Sequence, residues 1–316
     1  MEVSLASIGK LLDRCEHIIL TPHIHPDGDC LGSMLGFYHY LVNRGKKVEM
    51  LLDDAVPSSF SFFPGVDLIK QPQGVISADL LIVFDSSDVE RLGRVKDQVV
   101  APILNIDHHL SNTHFADYWL VDSSASATAE IVYSLLKFLN AALTTDMAIC
   151  LYTGIVTDSG FFRYASTSPK TMRYGAELIE LGVKPHYIAD LLETRSKESL
   201  TVMAEVLRTL EFYDDSQIAV LTITPEIVAK GNDYTEGLIN YPRSIENVEI
   251  AVVFKIVDTT TIRISLRSKN VDVSTIAVTL GGGGHARAAG CTFDGPVVAA
   301  KQRIIELASS VLAVQQ

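Results

Sequence analysis

Positive charge is scarce in this chain of 316 residues: 26 lysines and arginines face 38 aspartates and glutamates, a net charge of -12. That balance excludes a protein that grips long duplex nucleic acid by releasing counterions along the backbone. A small or short anionic ligand in a local pocket stays open. Cysteine is equally sparse. Cys15, Cys30, Cys150 and Cys291 lie far apart with no C-x-x-C pair, which argues against a disulfide framework or a zinc site and for reduced thiols in a cytoplasm. No uninterrupted apolar run approaches the ~18 residues of a membrane span. No cationic segment followed by an apolar stretch opens the chain, so neither export nor membrane association is expected. Internal repeats and low-complexity tracts are missing too. What is present suffices for two cores, since 47% of the residues are hydrophobic and the length predicts about two domains.

Leu5, Ile8, Leu11 and Leu12 have helical spacing, and residues 17–21 read as a buried strand. The spacing predicts a helix over 31–43, with Gly45 as its C-terminal cap. Strands are expected at 48–52, 79–84 and 103–106, and helices at 127–139 and 146–156. Ser168 and Pro169 supply an N-cap and a first-turn proline for a further helix that ends near Gly182. Strands alternating with helices imply right-handed βαβ crossovers and a mostly parallel sheet, an α/β fold. A connecting helix is expected over about 196–213. Beyond it, 218–223, 248–257 and 261–267 are β-rich and adjacent in the chain, which predicts hairpins in a smaller mixed-sheet domain. The expected division is 1–190, a helical linker 191–214, and 215–316.

Four widely separated segments carry hard-cation ligands, each at or near the end of an apolar run: His23-Ile24-His25-Pro26-Asp27-Gly28-Asp29, Asp85, Asp107-His108-His109 and Asp158-Ser159-Gly160. Open α/β sheets hold ligands at such places. A turn containing Pro26 and Gly28 can aim His23, Asp27 and Asp29 at neighbouring ions, and Gly32-Ser33 is expected to open the next helix toward an anion. Two helix-capping aspartates explain the same residues equally well. Asp85 alone reads as a cap, and Asp158 as a helix C-terminal carboxylate that the dipole disfavours. Adjacent histidines after an aspartate have no packing rationale; Asp107 could orient a ring from behind. If Asp27, Asp29, Asp85 and Asp158 converge, their mutual repulsion raises pKa values unless cations intervene. Two divalent ions would neutralise them, and oxygen and imidazole donors without thiolate favour Mn²⁺, Mg²⁺ or Co²⁺. Ions about 3.5–4 Å apart would acidify a bridging water and clamp phosphoryl oxygens.

Near the C-terminus, Gly281-Gly282-Gly283-Gly284-His285-Ala286-Arg287 suggests an anion nest. From 259 to 291, Arg263, Arg267, Lys269 and Arg287 face Asp272 alone, a local +3 that marks a phosphate pocket. Arg267-Ser268-Lys269 is a second candidate. Phe161, Phe162 and Tyr164 could floor the site, stack on a base or simply pack in the core. His17, His39, His114 and His186 stand alone, and Trp119 carries no functional signal.

Taken together, these motifs and the run Gly281 to Gly290 resemble the DHH phosphoesterase family with its DHH-associated C-terminal domain, over nearly the whole chain. The resemblance is strongest to the subfamily of oligoribonucleases that are also 3′-phosphoadenosine-5′-phosphate phosphatases. It implies a parallel-sheet domain joined by a helical linker to a smaller mixed-sheet domain, with substrate in the cleft between them. It makes His23, Asp27 and Asp85 ligands of one ion and Asp29, Asp85, His108 and Asp158 ligands of the other, with Asp85 bridging. His109 would touch the scissile phosphate and protonate the leaving oxygen. His285 with Gly282, Gly283, Gly284 and Arg287 would hold a terminal phosphate, and Arg267 and Ser268 match substrate contacts. His25 departs from the subfamily, which often has asparagine there.

The expected activity is Mn²⁺-dependent hydrolysis, with two ions per chain, of short RNAs to 5′-mononucleotides or of 3′-phosphoadenosine-5′-phosphate to AMP. Alternatives are a cyclic di-AMP or pApA phosphodiesterase, a pyrophosphate or polyphosphate hydrolase, and a nucleotide sensor without turnover. The oligomeric state is open, with a homodimer among the expectations.

Overall fold

The computed structural model describes residues 1–230 and 237–313, apart from the side chain of His285. The chain divides into two compact units, Met1–Thr194 and Arg195–Gln316.

In the first unit, α1 (Leu5–Arg14) leads into β1 (His17–Pro22), α2 (Gly28–Asn43), β2 (Lys47–Leu51) and β3 (Ile69–Lys70). Next come β4 (Ile76–Ser77), β5 (Leu80–Phe84), α3 (Val95–Gln98), β6 (Val99–Val100), β7 (Ile103–Asp107) and β8 (Tyr118–Val121). Four helices complete it: α4 (Thr128–Phe138), α5 (Thr145–Asp158), α6 (Pro169–Glu180) and α7 (Pro185–Glu193), the last without a sequence signal that we read. Six strands form one sheet in the order β3-β2-β1-β5-β7-β8, and every pairing in it is parallel.

The strand sequences explain that sheet. All five residues of β5 are buried and apolar, as strands covered on both faces require. Ile18, Leu20, Ile82 and Phe84 join the core formed with α2, α4 and α5. The alternate residues Ile19, Leu81 and Val83 pack on the opposite face with Leu92 and Val95, the period of two that a strand imposes. Because β1 lies between β2 and β5, the chain leaves it in two directions, which opens a crevice at the carboxyl ends of these strands.

Helices α2 and α5 approach closely because α2 carries glycine every fourth residue. A Cβ on Gly28 would lie 2.5 Å from Thr157 Oγ1, one on Gly32 2.4 Å from the Cys150 carbonyl, and one on Gly36 2.9 Å from Leu151. This corrects the expectation that Gly32 and Ser33 open the helix: α2 starts at Gly28 with Asp27 as N-cap, and both residues are buried in the turn after. Their N–H groups are therefore not an anion site. Gly32→Ala forces backbone against backbone and is expected to cost about 3 kcal/mol, lowering Tm by about 6–12 °C in a thermal melt. An unchanged melt would show that the two helices can separate freely.

The second unit begins with α8 (Lys197–Leu207), β9 (Glu211–Tyr213), β10 (Ile218–Ile223), α9 (Pro225–Val228) and α10 (Asn240–Arg243). It continues with β11 (Ile250–Ile256), β12 (Thr261–Ser268), α11 (Ser274–Thr279), β13 (Gly283–His285), β14 (Ala288–Asp294) and α12 (Val297–Ala313). The strands form a mixed sheet, β13-β14-β12-β11-β10-β9. β11 and β12 make the expected hairpin. β10 and β11 do not: they run parallel, because the segment 224–249 with α9 and α10 is long enough for the crossover a parallel pair needs. The helix expected to reach residue 213 stops at Leu207. Val202 and Val206 of α8 are buried against Leu221, Ile223 and Val253, so α8 packs on this sheet. The other face meets Ile304 and Ala308 of α12.

Candidate metal centre

The turn after β1 delivers the first ligands. Asp27 Oδ1 accepts hydrogen bonds from the N–H groups of Asp29 and Cys30, both at 3.0 Å, so this aspartate caps its own helix. Its other oxygen lies 3.6 Å from His23 Nε2. His23 Nδ1–H donates to the Ile24 carbonyl at 2.7 Å, which fixes the tautomer and leaves Nε2 facing the carboxylates. His25, the departure from the subfamily, turns away: its ring is 88% exposed and sits beside Asp54.

Asp29 is the second residue of α2 and is almost completely buried. Its oxygens accept from the backbone N–H groups of Thr128 and Ala129 at 2.6 and 2.8 Å. The N-cap residue of α4, Ala127, has no side-chain acceptor, and Asp29 supplies one from a different helix. Both aspartates are thus helix caps, as one reading of the sequence had it. A carboxylate has about four lone-pair sites, however, so capping leaves room for a cation.

Asp85 follows β5 in the left-handed region at φ +60, a conformation that aspartate tolerates better than most residues. Its two oxygens face two different groups. Oδ2 is 3.4 Å from His23 Nε2, whereas Oδ1 is 3.5 Å from His108 Nε2 and 2.9 Å from the Thr128 hydroxyl that donates to it. His108 Nδ1–H donates to the Ala125 carbonyl at 3.3 Å. Its Nε2 lies 3.4 Å from Asp158 Oδ2 and 4.0 Å from Asp29 Oδ2. Asp158 is the last residue of α5, and the chain leaves it through left-handed Gly160, Phe161 and Phe162. Phe161 and Phe162 pack against the core, and Tyr164 is 46% exposed.

Behind the adjacent histidines, buried Asp107 Oδ1 accepts from His109 Nδ1–H at 2.7 Å and from the His108 N–H at 2.8 Å. Asn112 Nδ2 donates to the other Asp107 oxygen at 2.5 Å. Sequence reasoning passed over Asn112 and Thr128, since neither has a titratable group to attract notice.

The electrostatics are those of crowded, buried carboxylates. Burial first, then Asp85, Asp158 and Asp27, push Asp29 well above the usual carboxylate range. Burial likewise lifts Asp158 to about 6, with His108 pulling it down and Asp85 and Asp27 pushing it up. Burial opposes charge on His23, yet Asp27 and Asp85 outweigh it and hold its pKa above the ordinary histidine value.

The donor set fits divalent ions. Nitrogen and oxygen atoms of Asp29, His108 and Asp158 all lie within 4.8 Å of one another, and so do ligand atoms of His23, Asp27 and Cys30. Ligands held about 2.1 Å from one ion lie about 3.0–3.4 Å apart, close to the separations here. The buried Cys30 thiol is pushed up to about 12 by burial and Asp27, so it is a neutral neighbour and oxygen and imidazole remain the donors.

The C-terminal candidates belong to the second unit. The glycine run is not an open nest. Gly281 and Gly282 N–H groups donate to the Val278 and Ala277 carbonyls, closing α11, and Gly283 to His285 pair with β14. A Cβ on Gly282 or Gly284 would meet the β14 backbone at 2.2 and 2.5 Å, so the hairpin itself requires glycine there. Ser268, expected to contact substrate, is buried and its hydroxyl donates to the Val271 carbonyl, which holds a turn. Arg287 is exposed and Arg267 half-buried. The side chain of His285 lies outside the described residues.

The model of the DHH family N-terminal domain matches residues 17–155, and that of the DHHA1 domain residues 215–313. The chain is 33% identical over 293 residues to the bifunctional oligoribonuclease and PAP phosphatase NrnA of Thermus thermophilus, covering 92% of this chain and 88% of that protein. It is 26% identical to the protein of the same description from Bacillus subtilis, over 90% of this chain and 91% of that one. An exopolyphosphatase-related protein from Bacteroides fragilis, 28% identical, superposes with a TM-score of 0.89 over 98% of this chain and 97% of its own. No helix among the described residues is long and apolar enough to cross a membrane. With these motifs gathered at the ends of β1, β5 and β7 and likeness along nearly the whole chain, this protein belongs to the DHH family of phosphoesterases, with a DHHA1 domain in its second unit.

Proposed function

We propose that this protein is a binuclear, manganese-dependent phosphoesterase that shortens oligoribonucleotides of a few residues to 5′-mononucleotides and converts 3′-phosphoadenosine-5′-phosphate to AMP. One observation carries the binuclear reading: the two oxygens of Asp85 face different ligand groups, His23 with Asp27 on one side and His108 with Asp158 on the other. His23, Asp27 and Asp85 hold the first ion, and Asp29, Asp85, His108 and Asp158 the second. The substrate reading rests on relatives described as oligoribonuclease and PAP phosphatase. A nucleotide sensor without turnover is disfavoured by the complete donor set.

Two such ions supply Lewis acidity toward water and the phosphoryl oxygens. The chain supplies the rest. Asp107 keeps the His109 Nδ1 proton occupied, which aims Nε2 outward to hand a proton to the leaving oxygen. Burial works against charge on this ring, but Asp107 and Asp85 hold its pKa above the ordinary value. Arg287, Arg267, His285 and the edge strand β13 (Gly283–His285), with Gly282 before it, bind a terminal phosphate. The setting is a cytoplasm, where both substrates arise.

Asp107→Asn keeps the shape but loses the charge that orients His109. It is expected to lower kcat by about 10–100-fold with bound manganese unchanged; equal loss of metal would assign Asp107 to the ion set. The substrate reading is tested by turnover numbers on pApA, 3′-phosphoadenosine-5′-phosphate, cyclic di-AMP and pyrophosphate under manganese. The first two should exceed the others, and preference for pyrophosphate or cyclic di-AMP would overturn this reading.

A further inference from the structure

A cavity of about 390 Å³ has His109, Leu110, Asn112, His114, Trp119 and the carboxylate-bearing Glu2 among its lining residues. Its size falls within the range of small-molecule sites, about 300–1,000 Å³. In it the rings of His114 and Trp119 stack, with centroids 4.9 Å apart and planes 19° from parallel. We propose that this cavity is a nucleobase subsite, in which the His114–Trp119 stack is the platform for the base next to the scissile phosphate. The inference rests on the nucleotide substrate proposed above and deepens it by naming the residues that hold the base.

Three features set this pair apart from an incidental surface contact. The platform is rigid: the Trp119 backbone pairs with Asn105 of β7 on one side. On the other it donates to the Met1 carbonyl and accepts from the Val3 N–H, each at 3.0 Å. It is also tied to the catalytic histidine. Asn112 Nδ2 donates to Asp107, the partner of His109, and the Oδ1 of the same amide accepts from the His114 N–H at 2.8 Å. That bond helps hold His114 in the left-handed region at φ +52, uncommon for a residue other than glycine. Finally, Leu110 directly after His109 is 88% exposed, an apolar side chain without cover next to a carboxylate-rich centre. Histidine and tryptophan stack on unpaired bases of every kind, which suits an enzyme that must accept any short sequence.

Base–aromatic stacking is worth about 5- to 100-fold in binding. The test compares pApA with two analogues, each abasic at one nucleoside, using wild type, His114→Ala, Trp119→Ala and Trp119→Phe with manganese. Wild type should show a KM raised about fivefold or more for one of the two analogues. His114→Ala should raise KM for pApA to a similar degree while leaving that analogue within about twofold of wild type, with kcat and metal content unchanged. Trp119→Phe should behave as wild type. Because Trp119 also anchors an edge strand, Trp119→Ala could fail to fold, and the exposed His114 then decides the matter alone. Equal effects of His114→Ala on pApA and on both analogues, or no effect on any, would overturn the subsite while leaving the phosphoesterase reading intact. Absence of pApA turnover by wild type would instead overturn that reading, and the subsite with it.

Discussion

Asp85→Asn is expected to abolish manganese-stimulated turnover, by about 100-fold or more, while the protein stays folded. Even outer partners of metal ligands are worth about 10–100-fold, and Asp85 stands between both ligand groups. Asparagine keeps the bulk and one acceptor for the Thr128 hydroxyl, which now donates to Asp85 Oδ1. It removes one negative charge from beside Asp29 and Asp158, whose pKa values Asp85 helps to raise. The variant without metal should therefore melt at the wild-type temperature or above it. Addition of Mn²⁺ should raise its Tm much less than it raises that of wild type. Retained activity would refute the bridging role, and a variant that melts far below ion-free wild type would make Asp85 a structural cap.

The second large effect is the pH dependence of metal stabilisation. In the ion-free protein Asp158 has a pKa of about 6 and Asp29 is raised well above the usual range. A carboxyl group whose folded pKa exceeds its unfolded one binds more protons when folded, so stability falls as pH rises. For Asp158 that loss begins near the unfolded value of about 4 and runs through about 6. Divalent ions replace those protons, and a ligand at 100 times its Kd stabilises by about 2.7 kcal/mol. The rise in Tm caused by Mn²⁺ should thus be small at pH 5 and large at pH 7.5, with protons released on binding. Calorimetry in two buffers of different ionisation enthalpy measures that release. A Tm rise equal at both pH values, with no proton release, would contradict the convergence of these carboxylates on the ions.

The gathering of the candidate metal ligands was legible because they sit at the carboxyl ends of apolar runs: Asp85 after Leu80–Phe84, and His108 and His109 after Ile103–Asp107. Charge counting then foresaw the strain that Asp29 and Asp158 display. Illegible were contacts between helices. Nothing local announces that Asp29 caps α4, a hundred residues on, or that Gly32 serves packing against Cys150 and not an anion. The parallel pairing of Ile218–Ile223 with Ile250–Ile256 was hidden because nearness in the chain favours hairpins, and the register depends on the whole crossover. Nor does the sequence show that the Ser268 hydroxyl turns inward to Val271. The pairing of His114 with Trp119 shows only once the loop between them folds.

Crystals grown with manganese and measured at its absorption edge give the most direct answer. Two anomalous peaks are expected in the first unit, one among His23, Asp27 and Asp85 and the other among Asp29, Asp85, His108 and Asp158, each carboxylate oxygen of Asp85 reaching toward one of them. A single peak, or none while these side chains merely cap their helices, would contradict the account.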